Sequence, residues 1–125
     1  MKYLLILITI MLVGGCDTAL TVKDVAGEYE QSGIFITHKS VLLENGLTKD
    51  YENGKLTDEG KWTIVNGEIH VIYEKGSRVD GGGEWVKQVV RINQDRSITV
   101  ISEIDKDGKR TDVALHKQGS GAKIK

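Results

Sequence analysis

The chain has 125 residues, enough for one domain and little more. Hydrophobic residues make up 39% of it, but the first 15 positions hold 11 of them, so the remainder has a modest core and no room for a large cavity with its walls. A net charge of −1, from 17 Lys and Arg against 18 Asp and Glu with no basic cluster, argues against a nucleic-acid partner.

Met1-Lys2-Tyr3 is a short positive start, followed by the apolar run Leu4–Val13 and then Gly14-Gly15-Cys16. As a helix the run would span roughly 15 Å, half of a bilayer core of about 30 Å, so it reads as the middle of a signal peptide and not as a permanent span. Val13-Gly14-Gly15-Cys16 resembles the bacterial lipobox. That resemblance implies cleavage between Gly15 and Cys16, a diacylglycerol thioether on the Cys16 sulfur, and a protein exported and anchored to a bacterial membrane, on its periplasmic or cell-surface face. Two or three acyl chains suffice for stable anchoring where one does not. Cys16 is the only cysteine, so as an unmodified exported thiol it would lack a partner. The alternative is an ordinary secretory signal that ends near a cysteine. In an enterobacterial host Asp17, next to the cysteine, would imply retention in the inner membrane.

The organisation expected is a signal peptide at 1–15, a lipidated cysteine and short tether at 16–24, a β-domain at 25–118 and a polar tail at 119–125. Thr21 is placed to cap one helical turn that Gly27 ends. After it, turn signals recur at short intervals: the pairs Asn45-Gly46, Asn53-Gly54 and Asn66-Gly67 suit two-residue hairpins, and Ser32-Gly33, 76–83, 93–97 and 105–108 add further breaks. Between them lie runs rich in Val, Ile, Thr, Tyr and Trp, predicting strands near 26–31, 34–44, 47–52, 55–65, 68–75, 85–92, 97–104 and 110–117. Eight short antiparallel strands joined by hairpins form an all-β meander that closes as an up-and-down barrel. Alternation assigns inward positions to Tyr29, Val41, Leu43, Trp62, Ile64, Ile69, Val71, Tyr73, Val86, Val90, Ile92, Ile98, Val100, Ile104, Val113 and Leu115. Gly60 suits a bulge or sharp bend.

Val22–Glu30, a helical lead-in followed by Gly27-x-Tyr29, resembles the lipocalin opening, with Tyr in place of the usual Trp. Leu42–Val71, which runs strand, Asn-Gly, strand, Gly-x-Trp and a further Asn-Gly hairpin, resembles the small lipocalin-like domains of bacterial lipoproteins. The rival is the MORN-like repeat, matched once at Tyr51–Trp62; that architecture needs tandem copies, and no second copy is found.

The chemistry-bearing residues do not form a recognisable active site. His38, His70 and His116 fall on separate strands without metal-ligand spacing. Asn93-x-Asp95-x-Ser97 and Asp105-x-Asp107-Gly108 lack the full calcium-loop pattern and read as turns. Gly119-Ser120-Gly121 is not a nucleophile elbow, and the adjacent Asp58 and Glu59 point to opposite faces of their strand. No enzyme activity and no cofactor is expected. The expected role is a membrane-anchored, non-catalytic binding module of the cell envelope, with an envelope protein or a second copy as partner; the alternative is a lipocalin-like carrier of a small apolar ligand. A lipoprotein whose anchoring matters more than any binding is a third reading. The candidate contact surface is a stripe of Ile72, Trp85, Val89 and Ile101 on the outer face of three consecutive strands, where clean apolar–polar alternation fails.

Overall fold

The computed structural model describes residues 19–76, 79, 85–115 and 118–125. A single helical turn, α1 (Val22–Val25), leads into β1 (Gly27–Ser32), β2 (Thr37–Leu42), β3 (Leu47–Glu52), β4 (Lys55–Val65), β5 (Glu68–Gly76), β6 (Trp85–Ile92), β7 (Ile98–Asp105), β8 (Arg110–Asp112) and β9 (Ser120–Lys123). Each strand from β1 to β7 pairs antiparallel with the next, and β9 bridges β7 to β1. The result is a closed, lipocalin-like antiparallel barrel of eight strands with β8 as an extra strand on the β7 edge. Among the described residues no helix is long and apolar enough to cross a membrane.

Local chemistry sets the connections. Asn53-Gly54 and Asn66-Gly67 take positive φ at both positions, at 51° and 82° and at 51° and 77°, and make the tight turns β3–β4 and β4–β5. The third pair behaves differently. At β2–β3 only Gly46 has positive φ, and Leu43 and Leu47 close a longer loop. Thr21 caps α1 as expected: its hydroxyl accepts from the Asp24 amide at 3.3 Å, and the Asp24 carboxylate accepts from the Thr21 amide at 2.9 Å. The Thr21 hydroxyl, which donates to the Asp24 carboxylate at 2.7 Å, and after it the Thr21 amide hold the Asp24 carboxyl below its ordinary value. The turn lays Val25, which is fully buried, across one end of the barrel, where the Tyr29 hydroxyl donates to the Val25 carbonyl. Trp62 fills the same half and donates its indole N–H to the Leu43 carbonyl at 2.8 Å. With Leu42, Ile69, Val71, Tyr73 and Val90 these residues form the core.

Four expectations change. The eighth barrel strand is not 110–117: only 110–112 is β-structure there, outside the barrel wall, with Leu115 exposed, and Ser120–Lys123, in the stretch read as a polar tail, closes the barrel instead. β2 starts at Thr37; Ile34 and Phe35, 92% and 89% exposed, form a loop at the end away from α1. Inward in β2 is Leu42 rather than Val41 and Leu43, because Leu42 pairs with Gly27 and Thr48. In β7 a bulge opposite Val89 and Val90 inserts Ile101, so Val100 stays inside while Ser102 and Ile104 turn to the outer face. Gly60 does mark a bulge in β4–β5.

Candidate polar cup at the open end

Two lateral rows across β1 to β4 explain the interior. The row nearer α1 carries Leu42, Thr48 and Gly60; the next row outward carries Tyr29, Ser40, Asp50 and Asp58. Strand register therefore sets Ser40, Asp50 and Asp58 side by side inside the barrel. Asp50 and Asp58, directly opposite each other on β3 and β4, are both buried. Tyr73 reaches in from β5 and Gln88 from β6. The Tyr73 hydroxyl lies 2.8 Å from Asp50 Oδ2 and 2.9 Å from Gln88 Oε1. A phenol has one proton to donate, so turning the Gln88 amide to donate N–H to the phenol oxygen satisfies both contacts at once. The Thr57 hydroxyl donates to the Asp50 carbonyl at 3.2 Å.

Beyond this polar layer, away from α1, lies a hollow of about 490 Å³, walled by Ser40, Glu52, Asp58, Gln88 and Val100 among others. Below it lies a cavity of only about 40 Å³. Tyr29, Leu42, Trp62, Ile69, Val71 and Val90 pack the inner half. A larger hollow of about 660 Å³ on the outer surface, near Asn93 and Ser120, is a weaker candidate because its polar groups satisfy one another. Asn93 Nδ2 donates to Ser97 and Thr99 at 2.9 and 2.8 Å, and Thr99 and Ser120 share a bond of 2.9 Å.

The cup combines carboxylates, hydroxyls and amides, a set that both donates and accepts hydrogen bonds. His38 lines it, while His70 lies outside the barrel, 3.4 Å from Glu68. Among the described residues no group of three or more His, Cys, Asp or Glu could hold a metal ion.

The residues expected to carry function are placed unevenly. Gly15 and Cys16 lie outside the described residues, as do His116 and the side chains of Trp85 and Val86. The outer stripe does not exist as a continuous apolar surface. Ile72 is 37% exposed and Ile101 is half-buried, but Val89 is 0% exposed. Val89 pairs with His70 on one side and Ser102 on the other. From β8, Arg110 reaches across that row: its Nε donates to the Ser102 hydroxyl at 2.9 Å and its two terminal nitrogens grip Glu68 at 3.2 and 3.0 Å. This fork holds the Glu68 carboxyl below its ordinary value and raises the Arg110 guanidinium. A charged bridge from β8 to β5 thus runs beside the row where an interface was expected. Val89→Thr is expected to cost about 1–3 kcal/mol by burying an unsatisfied hydroxyl, while Ile72→Thr should change stability by less than about 0.5 kcal/mol. Urea unfolding of the two variants checks this; equal losses would mean that Val89 is not covered.

Sequence reasoning missed the cup. The signal was available in β3, Leu47-Thr48-Lys49-Asp50-Tyr51-Glu52, where the set Thr48, Asp50 and Glu52 is polar throughout yet faces inward. Comparison with protein families, with curated proteins and with solved structures finds no match.

Proposed function

We propose that this chain is a non-catalytic binding module of the bacterial envelope, held at a membrane by lipid on Cys16, which takes a polar ligand in the open end of its barrel. One observation carries the reading: the interior is packed with side chains down to a remnant of about 40 Å³, whereas the open end keeps a polar hollow of about 490 Å³. Eight-stranded barrels are only just wide enough for side chains to fill them, and Tyr29, Trp62 and Tyr73 do so here. An apolar cargo would need a lumen of about 300 Å³ or more, so the filled interior weighs against the carrier reading.

The tether supports the orientation. Four residues, Asp17 to Leu20, separate Cys16 from Thr21, a reach of at most about 18 Å when extended. β1 runs from Gly27 beside α1 to Ser32 at the open end. A lipid on Cys16 therefore holds the closed end toward the membrane and turns the cup away from it.

Native mass spectrometry of protein released from membranes tests both halves. The N-terminal peptide should begin at Cys16 and carry diacylglycerol, and Cys16→Ser should yield unprocessed precursor or a soluble exported domain. The folded protein should carry a small polar molecule that Ser40→Leu, which narrows the cup, expels. An unmodified peptide starting elsewhere overturns the anchor, and an empty cup or a bound apolar lipid overturns the ligand reading.

A further inference from the structure

The tip of the β1–β2 hairpin runs against turn chemistry. Tight connections between strands favour Gly, Asn, Asp, Ser or Pro, whose backbones and short side chains suit the bend. Here the Gly33 amide donates to the Ile36 carbonyl at 2.7 Å and closes the turn, and the two central residues are Ile34 and Phe35. At 92% and 89% they are the most exposed large hydrophobic side chains among the described residues. Neither takes positive φ, so polar residues would serve the bend equally well without presenting apolar surface.

The projection is braced. β1 and β2 stay paired up to Ser32 and Thr37, immediately below the tip. The β3–β4 turn then ties on from the side: the Thr37 amide donates to Asn53 Oδ1 at 2.9 Å, and the Asn53 amide donates to the Thr37 carbonyl at 2.8 Å. A tip already held in shape loses little freedom when it binds. The run from Gln31 to Thr37 carries no charge, and Ile36 beside the apex is 40% exposed. Single exposed apolar residues are ordinary, whereas consecutive ones on a braced projection mark a contact.

Area and shape select the occupant. Ile34 and Phe35 together offer roughly 300–400 Å² of side-chain surface. Tip against tip, or tip in a partner's pocket, the total buried would be about 600–800 Å², short of the roughly 1,200 Å² at which stable protein interfaces begin. A lipid surface needs no matching outline. It takes a convex apolar wedge, gains with each side chain removed from water, and rejects charge, which this run lacks.

We propose that the β1–β2 hairpin inserts Ile34 and Phe35 into the interfacial layer of a lipid bilayer. The contact lies at the end away from α1. Where a lipid on Cys16 holds the α1 end, the bilayer met by the tip is a second one facing the first. This goes beyond the ligand reading above and does not rest on the cup.

The test reconstitutes the protein extracted from membranes into vesicles of phosphatidylcholine and phosphatidylglycerol and mixes them with bare fluorescent vesicles of the same lipids. The expected result is saturable capture of the bare vesicles. Ile34→Ser combined with Phe35→Ser should lower capture by about tenfold or more, while Phe35→Trp keeps it. The melting temperature should not change, since both side chains are exposed. Capture should persist with bare vesicles of phosphatidylcholine alone, because the contact is apolar. Equal capture by wild type and the double variant, capture that requires phosphatidylglycerol, or no capture at all overturns the proposal. A dimer seen by analytical ultracentrifugation that the double variant dissolves, without any capture, overturns it too and assigns the tip to a second copy. Protein that does not stay in the first vesicles overturns the anchor and not the tip; flotation of that protein with bare vesicles, wild type against double variant, then decides.

Discussion

Trp62→Ala is expected to lower the unfolding free energy by about 3–5 kcal/mol, a large share of the 5–15 kcal/mol typical of a small domain. The indole is buried in the centre of the core cluster and bonds the Leu43 carbonyl. Truncation removes the largest side chain of the inner half, leaves a cavity between β4 and β5, and takes the donor from that carbonyl. Thr63, one residue on, is exposed, and Thr63→Ala should cost less than about 0.5 kcal/mol. Urea titrations of the two variants give the comparison. Similar losses at both positions would mean that β4 does not present Trp62 to a packed interior.

Gly60→Ala should cost about 3 kcal/mol, through overlap rather than loss. A Cβ at Gly60 would lie 1.9 Å from the Ile72 carbonyl oxygen and 2.9 Å from the Tyr73 Cα, both backbone atoms of the paired strand. Neither can swing aside as a flexible side chain would, so β4 and β5 must separate at the bulge. Because Tyr73 sits at that contact, the variant should also disturb the Tyr73–Asp50 bond and with it the floor of the cup. Glu59→Ala, on the neighbouring position of the same strand, should be nearly silent. Thermal unfolding of both variants decides; a Gly60→Ala protein as stable as wild type would show that the bulge does not bring the two backbones this close.

The strands were legible where side chains alternate cleanly and Asn-Gly fixes the ends, as in β4 and β5. Legibility failed where the decisive information lies between strands. Ser120–Lys123 has only Ala122 and a lysine stem to mark it, and nothing in its own pattern says that it closes a barrel. The Ile101 bulge reverses the facing of Ile104 through pairing with β6, which the alternation within β7 does not reveal. Val89 reads as exposed from alternation alone, whereas it is buried between His70 and Ser102, and pattern within β6 does not reveal that. The cup was hidden for the same reason. In sequence Asp58 neighbours Glu59, which faces the other way, whereas its structural neighbour is Asp50 across the strand pair. In β3 both faces are largely polar, so period-2 reasoning has no apolar set with which to choose the inner one.

The central claim is that side chains fill the barrel and only its polar end receives ligand. Methyl NMR of the chain under xenon pressure tests this most directly, because an empty apolar cavity takes up xenon and a filled one does not. The account predicts no saturable shift at the methyls of Leu42, Ile69, Val71 and Val90. A saturable shift of that set would reveal an apolar lumen behind Trp62 and would contradict it.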